Sequence, residues 1–85
     1  MSYRVELTTA AARQVRKLEP AARRRVVVAL GELEVDPRPA GVKRLTGVDN
    51  AWRVRVGDYR ILYEIEDDVV LVTVFRVAHR REVYE

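Results

Sequence analysis

The sequence predicts a single α+β domain in which a helical hairpin covers one face of a mostly antiparallel sheet, in the order β-α-α-β-β-β. Three observations carry that expectation. The chain opens with Tyr3, Val5 and Leu7 alternating with Arg4 and Glu6, the two-residue period of a strand with one buried face. The next stretch places apolar residues at helical spacing. From Trp52 onward the alternation returns, broken by short turn signals at Gly57-Asp58 and Asp67-Asp68. Elements in this order form a two-layer α+β domain with the helices on one side.

Each element has its own local reason. Thr8 or Thr9 can accept a hydrogen bond from the first turn of a helix and so cap it. In that helix Ala11, Val15 and Leu18 form the apolar stripe, and Arg13, Arg16 and Lys17 lie elsewhere on its surface. Pro20 suits the first position of a second helix, where its missing N–H has no intrahelical partner in any case. Ala22, Val26, Leu30 and Leu33 give this helix its buried stripe, and Arg23, Arg24 and Arg25 face mainly outward. It ends before Asp36-Pro37, because a proline disfavours helix at the residue before it. Pro39 and Gly41 mark a loop. Val42 to Leu45 is a candidate edge strand, Thr46 to Asn50 is turn-like, and Trp52 to Val56 is a strand. Tyr59 to Ile65 is its hairpin partner. Val69 to Val77, rich in β-branched residues, is the last strand.

Length and composition bound what this domain can be. The 85 residues allow one domain, 1–85, of which about 60% of the unfolded surface is buried on folding. Hydrophobic residues make up 48% of the chain, enough for a core without added cross-links. There is no cysteine, so neither disulfides nor thiolate metal sites contribute. No apolar run reaches signal-peptide length at the N-terminus, and none approaches the roughly 20 residues of a membrane span. The expectation is a cytoplasmic protein that does not engage membranes. One histidine and scattered carboxylates suggest no metal site, and no glycine-rich phosphate loop suggests no nucleotide cofactor.

The formal net charge is +3, and fourteen of the sixteen basic residues are arginine. The plain reading of that excess is a codon bias toward arginine, so position has to carry the argument. A two-residue turn at Gly57-Asp58 sets Val56 opposite Tyr59, Arg55 opposite Arg60, Val54 opposite Ile61 and Trp52 opposite Tyr63. Trp52, Val54, Val56, Tyr59, Ile61 and Tyr63 then share the helix-covered face. Arg53, Arg55 and Arg60 share the other. Like charges facing across a hairpin are destabilising. Arg55 opposite Arg60 therefore suggests an anion between them, unless the face is simply solvated. With a turn at Asp67-Asp68, Val70, Val72 and Val74 join the core face, and Leu71, Phe75 and Val77 fall on the arginine face. That apolar strip awaits a partner or the C-terminal tail. The tail brings His79, Arg80 and Arg81 to the Gly57-Asp58 end, near Arg60 and Arg55, and Tyr84 can stack on a base.

The segments Trp52-Arg53-Val54-Arg55, Gly57-Asp58-Tyr59-Arg60 and Val77-Ala78-His79-Arg80-Arg81-Glu82-Val83-Tyr84 resemble the RelE branch of the RelE/ParE toxin superfamily. Lys43-Arg44-Leu45 and the two leading helices match as well, so the resemblance spans essentially the whole chain. It implies the toxin of a type II toxin–antitoxin pair. It implies a metal-independent, cofactor-free endoribonuclease that cleaves mRNA in the ribosomal A site by attack of a 2′-hydroxyl on its own phosphate. The implied partners are a cognate antitoxin, the ribosome and its mRNA, and operator DNA only as the toxin–antitoxin complex.

By that resemblance Arg60 and Arg80 clamp the scissile phosphate and Tyr84 orients or stacks on the substrate. Arg53 and Arg55 stand where the best-known relatives carry lysines, and arginine deprotonates far less readily. Proton transfer is therefore expected of His79, the one side chain here whose ordinary pKa lies near neutrality. Lys43, Arg44, Arg81, Arg13, Arg16, Lys17 and Arg24 are candidate RNA contacts, against the plainer reading of each as a solvated surface residue. Two alternatives stay open. One is a ParE-like toxin that binds and inhibits DNA gyrase without cutting RNA. The other is a catalytically silent relative that acts with its antitoxin as a repressor.

Overall fold

The computed structural model describes residues 2–83. Its sheet has five strands: β1 (Arg4–Leu7), β2 (Lys43–Arg44), β3 (Ala51–Val56), β4 (Tyr59–Glu66) and β5 (Leu71–His79). They lie in the order β1-β5-β4-β3-β2. β1 runs parallel to β5, and the other neighbours are antiparallel. Two helices, α1 (Thr9–Arg16) and α2 (Pro20–Val35), intervene between β1 and β2. The expected α+β architecture is thus present, with the first strand crossing over to pair beside the last.

The helix boundaries follow the local chemistry. The Thr8 hydroxyl accepts the Ala11 N–H at 3.1 Å, satisfying one of the N–H groups that a helix start leaves orphaned. Pro20 is the first residue of α2, and Asp36, just before Pro37, is its C-cap in extended conformation. Leu18 falls beyond α1, in the connection, yet still packs against the core. Gly31 is an exception to the local logic of α2. A mid-helix glycine is about 1 kcal/mol less favourable than alanine, and a Cβ added here would meet nothing within 4 Å.

The core lies between the helices and one sheet face. Val26 and Leu33 from α2 and Ala11 and Val15 from α1 meet Ile61, Tyr63 and Ile65 of β4 and Val72, Val74 and Val77 of β5. Fully burying one such side chain contributes about 1.5–3 kcal/mol. Tyr63 is 0% exposed, and its hydroxyl donates to the Pro37 carbonyl at 2.7 Å. Burial pushes its phenol well above the ordinary value, so it stays a donor. A second tie closes the same end of the molecule. Arg38 forks onto Asp67 (3.2 and 2.8 Å), and the Tyr3 hydroxyl donates to Asp67 at 2.7 Å. These donors, Arg38 first, hold the Asp67 carboxyl down at about 2.

The hairpin register matches the expectation pair for pair: Val56–Tyr59, Arg55–Arg60, Val54–Ile61 and Trp52–Tyr63. Gly57 has φ 59°, and Asp58 is not among the residues of positive φ, as a glycine-first turn requires. β2 is shorter than the expected Val42–Leu45.

The last strand departs from the expectation twice. The connection is a 3₁₀ turn, Asp67–Val69, closed by Val70 in the left-handed region, so the strand starts at Leu71 and runs to His79. Val70 is therefore a turn residue and not part of the core face. The second departure is a register shift between Leu62 and Tyr63, which pair with Arg76 and Val74 and leave Phe75 as the extra residue of a bulge. The bulge reverses the alternation. Val77 pairs with Ile61 and is buried in the core instead of joining the arginine face. Gln14 Oε1 of α1 accepts the Val77 N–H at 2.7 Å, beyond the point where β1 last pairs with β5.

Candidate functional site: a cationic cleft on the open sheet face

Strand alternation leaves α1 and α2 on one face and sends every second residue of β3 and β4 to the other. On that open face Lys43 pairs with Arg53 and Arg55 with Arg60. These four side chains, with Ala40, Gly41, Val54 and Gly57, line a cleft of about 500 Å³. Three strands thus deliver four cations to one concavity. Anions are attracted to such a surface, and arginine adds a planar fork that matches two phosphate oxygens at once.

Arg60 differs from its neighbours. It is 6% exposed, the buried charged residue of the described part of the chain. Its Nη1 donates to the carbonyls of Tyr59 (3.1 Å) and Gly57 (3.4 Å). The hairpin turn therefore fixes the guanidinium in place, and little rotamer freedom is left to lose when it meets a ligand. Arg53 is half-buried and Arg55 exposed.

The far side of this face is apolar, and the tail covers it. Leu62, Ala78 and Val83 form a second small cluster, with Leu45 and Phe75 packed against it. A 3₁₀ turn, Arg80–Glu82, leads the chain back over the sheet, and Val83 is 8% exposed. Of the expected strip Leu71, Phe75 and Val77, Phe75 packs in the cluster that the tail's Val83 completes, Val77 lies in the main core, and Leu71 belongs to neither cluster.

The tail also settles where the remaining candidates stand. Tyr59 pairs with His79, and Arg60 with Ala78. His79 therefore reaches the expected end of the sheet but projects to the opposite face from Arg55 and Arg60. Its ring meets Tyr59 edge-on, centroids 5.4 Å apart. Its Nδ1 accepts the Arg81 N–H at 3.2 Å, and Glu82 returns a bond to the His79 N–H at 3.1 Å. The imidazole is thus the cap of the 3₁₀ turn, with Nε2 the nitrogen left over. Arg80 is tied to the hairpin through its backbone, donating to the Asp58 carbonyl at 2.7 Å. Its exposed side chain sits 3.8 Å from the Asp58 carboxylate. Tyr84 lies outside the described residues.

Among the candidate RNA contacts, Lys43 joins the cleft. Arg44 lies in register with Trp52, on the other side of β2, with its guanidinium 5.9 Å from the indole ring centre. Arg13 and Arg16 on α1, Lys17 at its C-cap and Arg24 on α2 are exposed on the helical layer, across the sheet from the cleft. Arg81 is exposed on the tail turn.

The bulge adds one basic residue that sequence reasoning passed over. Arg76 pairs with Leu62 and so belongs to the arginine face, where its Nη2 donates to the Glu82 carbonyl at 2.9 Å. The clue in the sequence is Val74-Phe75, two adjacent apolar residues where strict alternation allows one.

Comparison with known proteins gives the family and the fold. Residues 5–84 match the family model described as the ParE toxin of the type II toxin–antitoxin system parDE. Toxin RelG of Mycobacterium tuberculosis is 36% identical over 85 residues, covering 99% of this chain and 98% of that protein. The toxin–antitoxin complex RelBE2 of the same organism superposes with a TM-score of 0.82 at 36% identity, over 94% of this chain and 100% of that one. The RelE–RelB complex of Pyrococcus horikoshii OT3 gives a TM-score of 0.85 at 26% identity, over 98% of this chain and 100% of that one.

Proposed function

The chain belongs to the ParE toxin family of type II toxin–antitoxin systems and is a RelE-type toxin of the RelE/ParE superfamily, and from that premise we propose that it is a ribosome-dependent endoribonuclease that cuts mRNA in the A site. The observation that carries this reading is the convergence of Lys43, Arg53, Arg55 and Arg60 on one cleft. The cleavage is an in-line transfer at phosphorus. The 2′-oxygen bonds to phosphorus as the bond to the 5′-oxygen breaks, leaving a cyclic phosphate and a free 5′-hydroxyl. Such a reaction asks the protein mainly for positioning and charge neutralisation.

Arg60, preset by the turn carbonyls, grips the non-bridging oxygens. Arg53 and Arg55 neutralise the charge that accumulates on them, and Lys43 holds the neighbouring backbone. Arg80 completes the clamp from the tail, and Tyr84 stacks on or orients the substrate. The 2′-hydroxyl must lose a proton and the 5′-oxygen must gain one. His79 is the proposed group for proton transfer, through Nε2. From its face this requires the RNA to pass around the Gly57-Asp58 end of the sheet. A pH–rate profile that His79→Gln leaves unchanged removes that role.

Arg13, Arg16, Lys17, Arg24, Arg44 and Arg81 are proposed as contacts to ribosomal or messenger RNA phosphates, with binding that weakens steeply as salt rises. The proposed partner in the resting state is a RelB-like antitoxin, since the relatives RelBE2 and the Pyrococcus RelE were solved with their antitoxins. Operator DNA is bound only by that complex, and the setting is the cytoplasm. The test adds purified protein to ribosomes stalled on a defined mRNA and maps the new ends. Cuts confined to the A-site codon are expected. The ParE description of the family model favours one second reading, inhibition of DNA gyrase. A block of supercoiling with no A-site cut overturns the ribonuclease.

A further inference from the structure

The outer face of α2 carries features that neither the core nor the cleft uses. Val27, Val28 and Val35 are 54%, 63% and 77% exposed, a rare concentration of apolar surface on one helix. At 100° per residue they share one outward stripe with Gly31 and with Arg24, which falls between Val27 and Val28 around the helix. Gly31 has open space where its side chain would be. Nothing within the domain calls for a glycine there, whereas the close approach of another helix does.

The charges flanking this stripe are sorted along the helix. Arg23, Arg24 and Arg25 lie in its first half, and Glu32 and Glu34 in its second. Arg23, Arg25, Glu32 and Glu34 are exposed and make no ion pair among the described residues. Arg23 and Glu34 fall on one side of the stripe, Arg25 and Glu32 on the other. A second α2 laid antiparallel, with the two-fold axis between Val28 and Ala29, sets Arg23 level with Glu34 of the second copy. The same axis sets Arg25 level with Glu32 of the second copy. Both flanks thus demand the same register, and by symmetry four ion pairs form around the valines, with Arg24 of each copy towards an end of the contact, where its long side chain carries the charge to the rim. In that register the two Val28 side chains meet, and each Gly31 lies about level with the other copy's Val27.

We propose that the free protein self-associates through α2 as an antiparallel two-fold dimer, a surface separate from the cationic cleft on the far side of the sheet. One pair of helices this short buries near the lower limit of stable interfaces, about 1,000 Å², so a dissociation constant on the order of 10–100 μM is expected. Arg23 to Arg25 are covered in the dimer, so RNA contact through α2 and self-association exclude one another.

The test is sedimentation equilibrium of the full chain over a concentration range spanning that constant, at low and high salt. Circular dichroism confirms that each variant is folded. Wild type should shift from monomer to dimer with concentration, and more weakly at high salt. Val28→Lys should raise the dissociation constant at least tenfold. Glu34→Arg should also weaken it, and the double variant Arg23→Glu/Glu34→Arg, which swaps the charges, should restore it. A wild type that remains monomeric throughout overturns the proposal. This holds even if Val28→Lys weakens binding of an antitoxin, because the stripe is then an antitoxin surface. A dimer that survives Val28→Lys, or a charge swap that fails to restore what Glu34→Arg loses, overturns the assigned face or register.

Discussion

The two faces of the β3–β4 hairpin are built from the same strands and have opposite duties. On the helix side, Ile61 and Tyr63 are fully buried and Trp52, Val54 and Val56 pack against the core. On the other side, Arg55 lies directly opposite Arg60, and Lys43 opposite Arg53. Like charges in register weaken a hairpin by a few tenths to about 1 kcal/mol per pair. Burial of a single Ile or Val on the helix side outweighs that. The comparison teaches that the sealed face supplies the stability that lets the open face hold like charges in register.

The largest expected effect comes from breaking the sealed face. Leu33→Ala removes a side chain that is 1% exposed at the centre of the α2–sheet contact and should cost about 2–5 kcal/mol. Urea unfolding measures it directly. A loss below 1 kcal/mol would mean that the helical layer is not what secures the sheet. The open face should respond in the opposite direction. Arg55→Glu turns a like-charge pair into an ion pair with Arg60 and should stabilise the fold by about 0.2–1 kcal/mol while abolishing cleavage. A destabilised variant would show that the arginines already serve the fold.

The smallest effect concerns the edge of the sealed face, where Arg38 and Tyr3 hold Asp67. Its carboxyl titrates in the folded protein at about 2, below its ordinary value of about 3.9. The stabilisation is therefore complete above about pH 4 and lost as pH falls through about 2. All three groups are at the surface, so the effect is small and salt-sensitive. Wild type should lose melting temperature over that acid range faster than Asp67→Asn. Parallel curves would remove the clasp from the account.

The sequence made the sealed face legible almost residue by residue, because burial imposes a strict period. Val26, Leu33, Ile61, Tyr63, Val72 and Val74 all stand where apolar spacing put them. The Gly57-Asp58 turn fixed the register of the arginines for an equally local reason. What escaped were the features set by a single extra residue. The Phe75 bulge moved Val77 into the core, brought Arg76 to the open face and, two residues on, turned His79 toward Tyr59. The parallel pairing of β1 with β5 depends on how the helices return the chain, which no local pattern records. The cleft was therefore readable as Arg53, Arg55 and Arg60, whereas the contribution of Lys43 and the Ala40-Gly41 loop depended on how the short β2 docks.

The most direct test of the open face is the single-turnover rate of A-site mRNA cleavage by wild type and by Arg60→Gln on the same programmed ribosomes, with circular dichroism melts of both. A rate lower by about 10²–10³-fold in a variant that still folds is the expected result, the size of effect seen when one preorganised donor is withdrawn from a developing negative charge. Equal rates would contradict the account, because the guanidinium that the hairpin turn holds in place would then play no part in the chemistry.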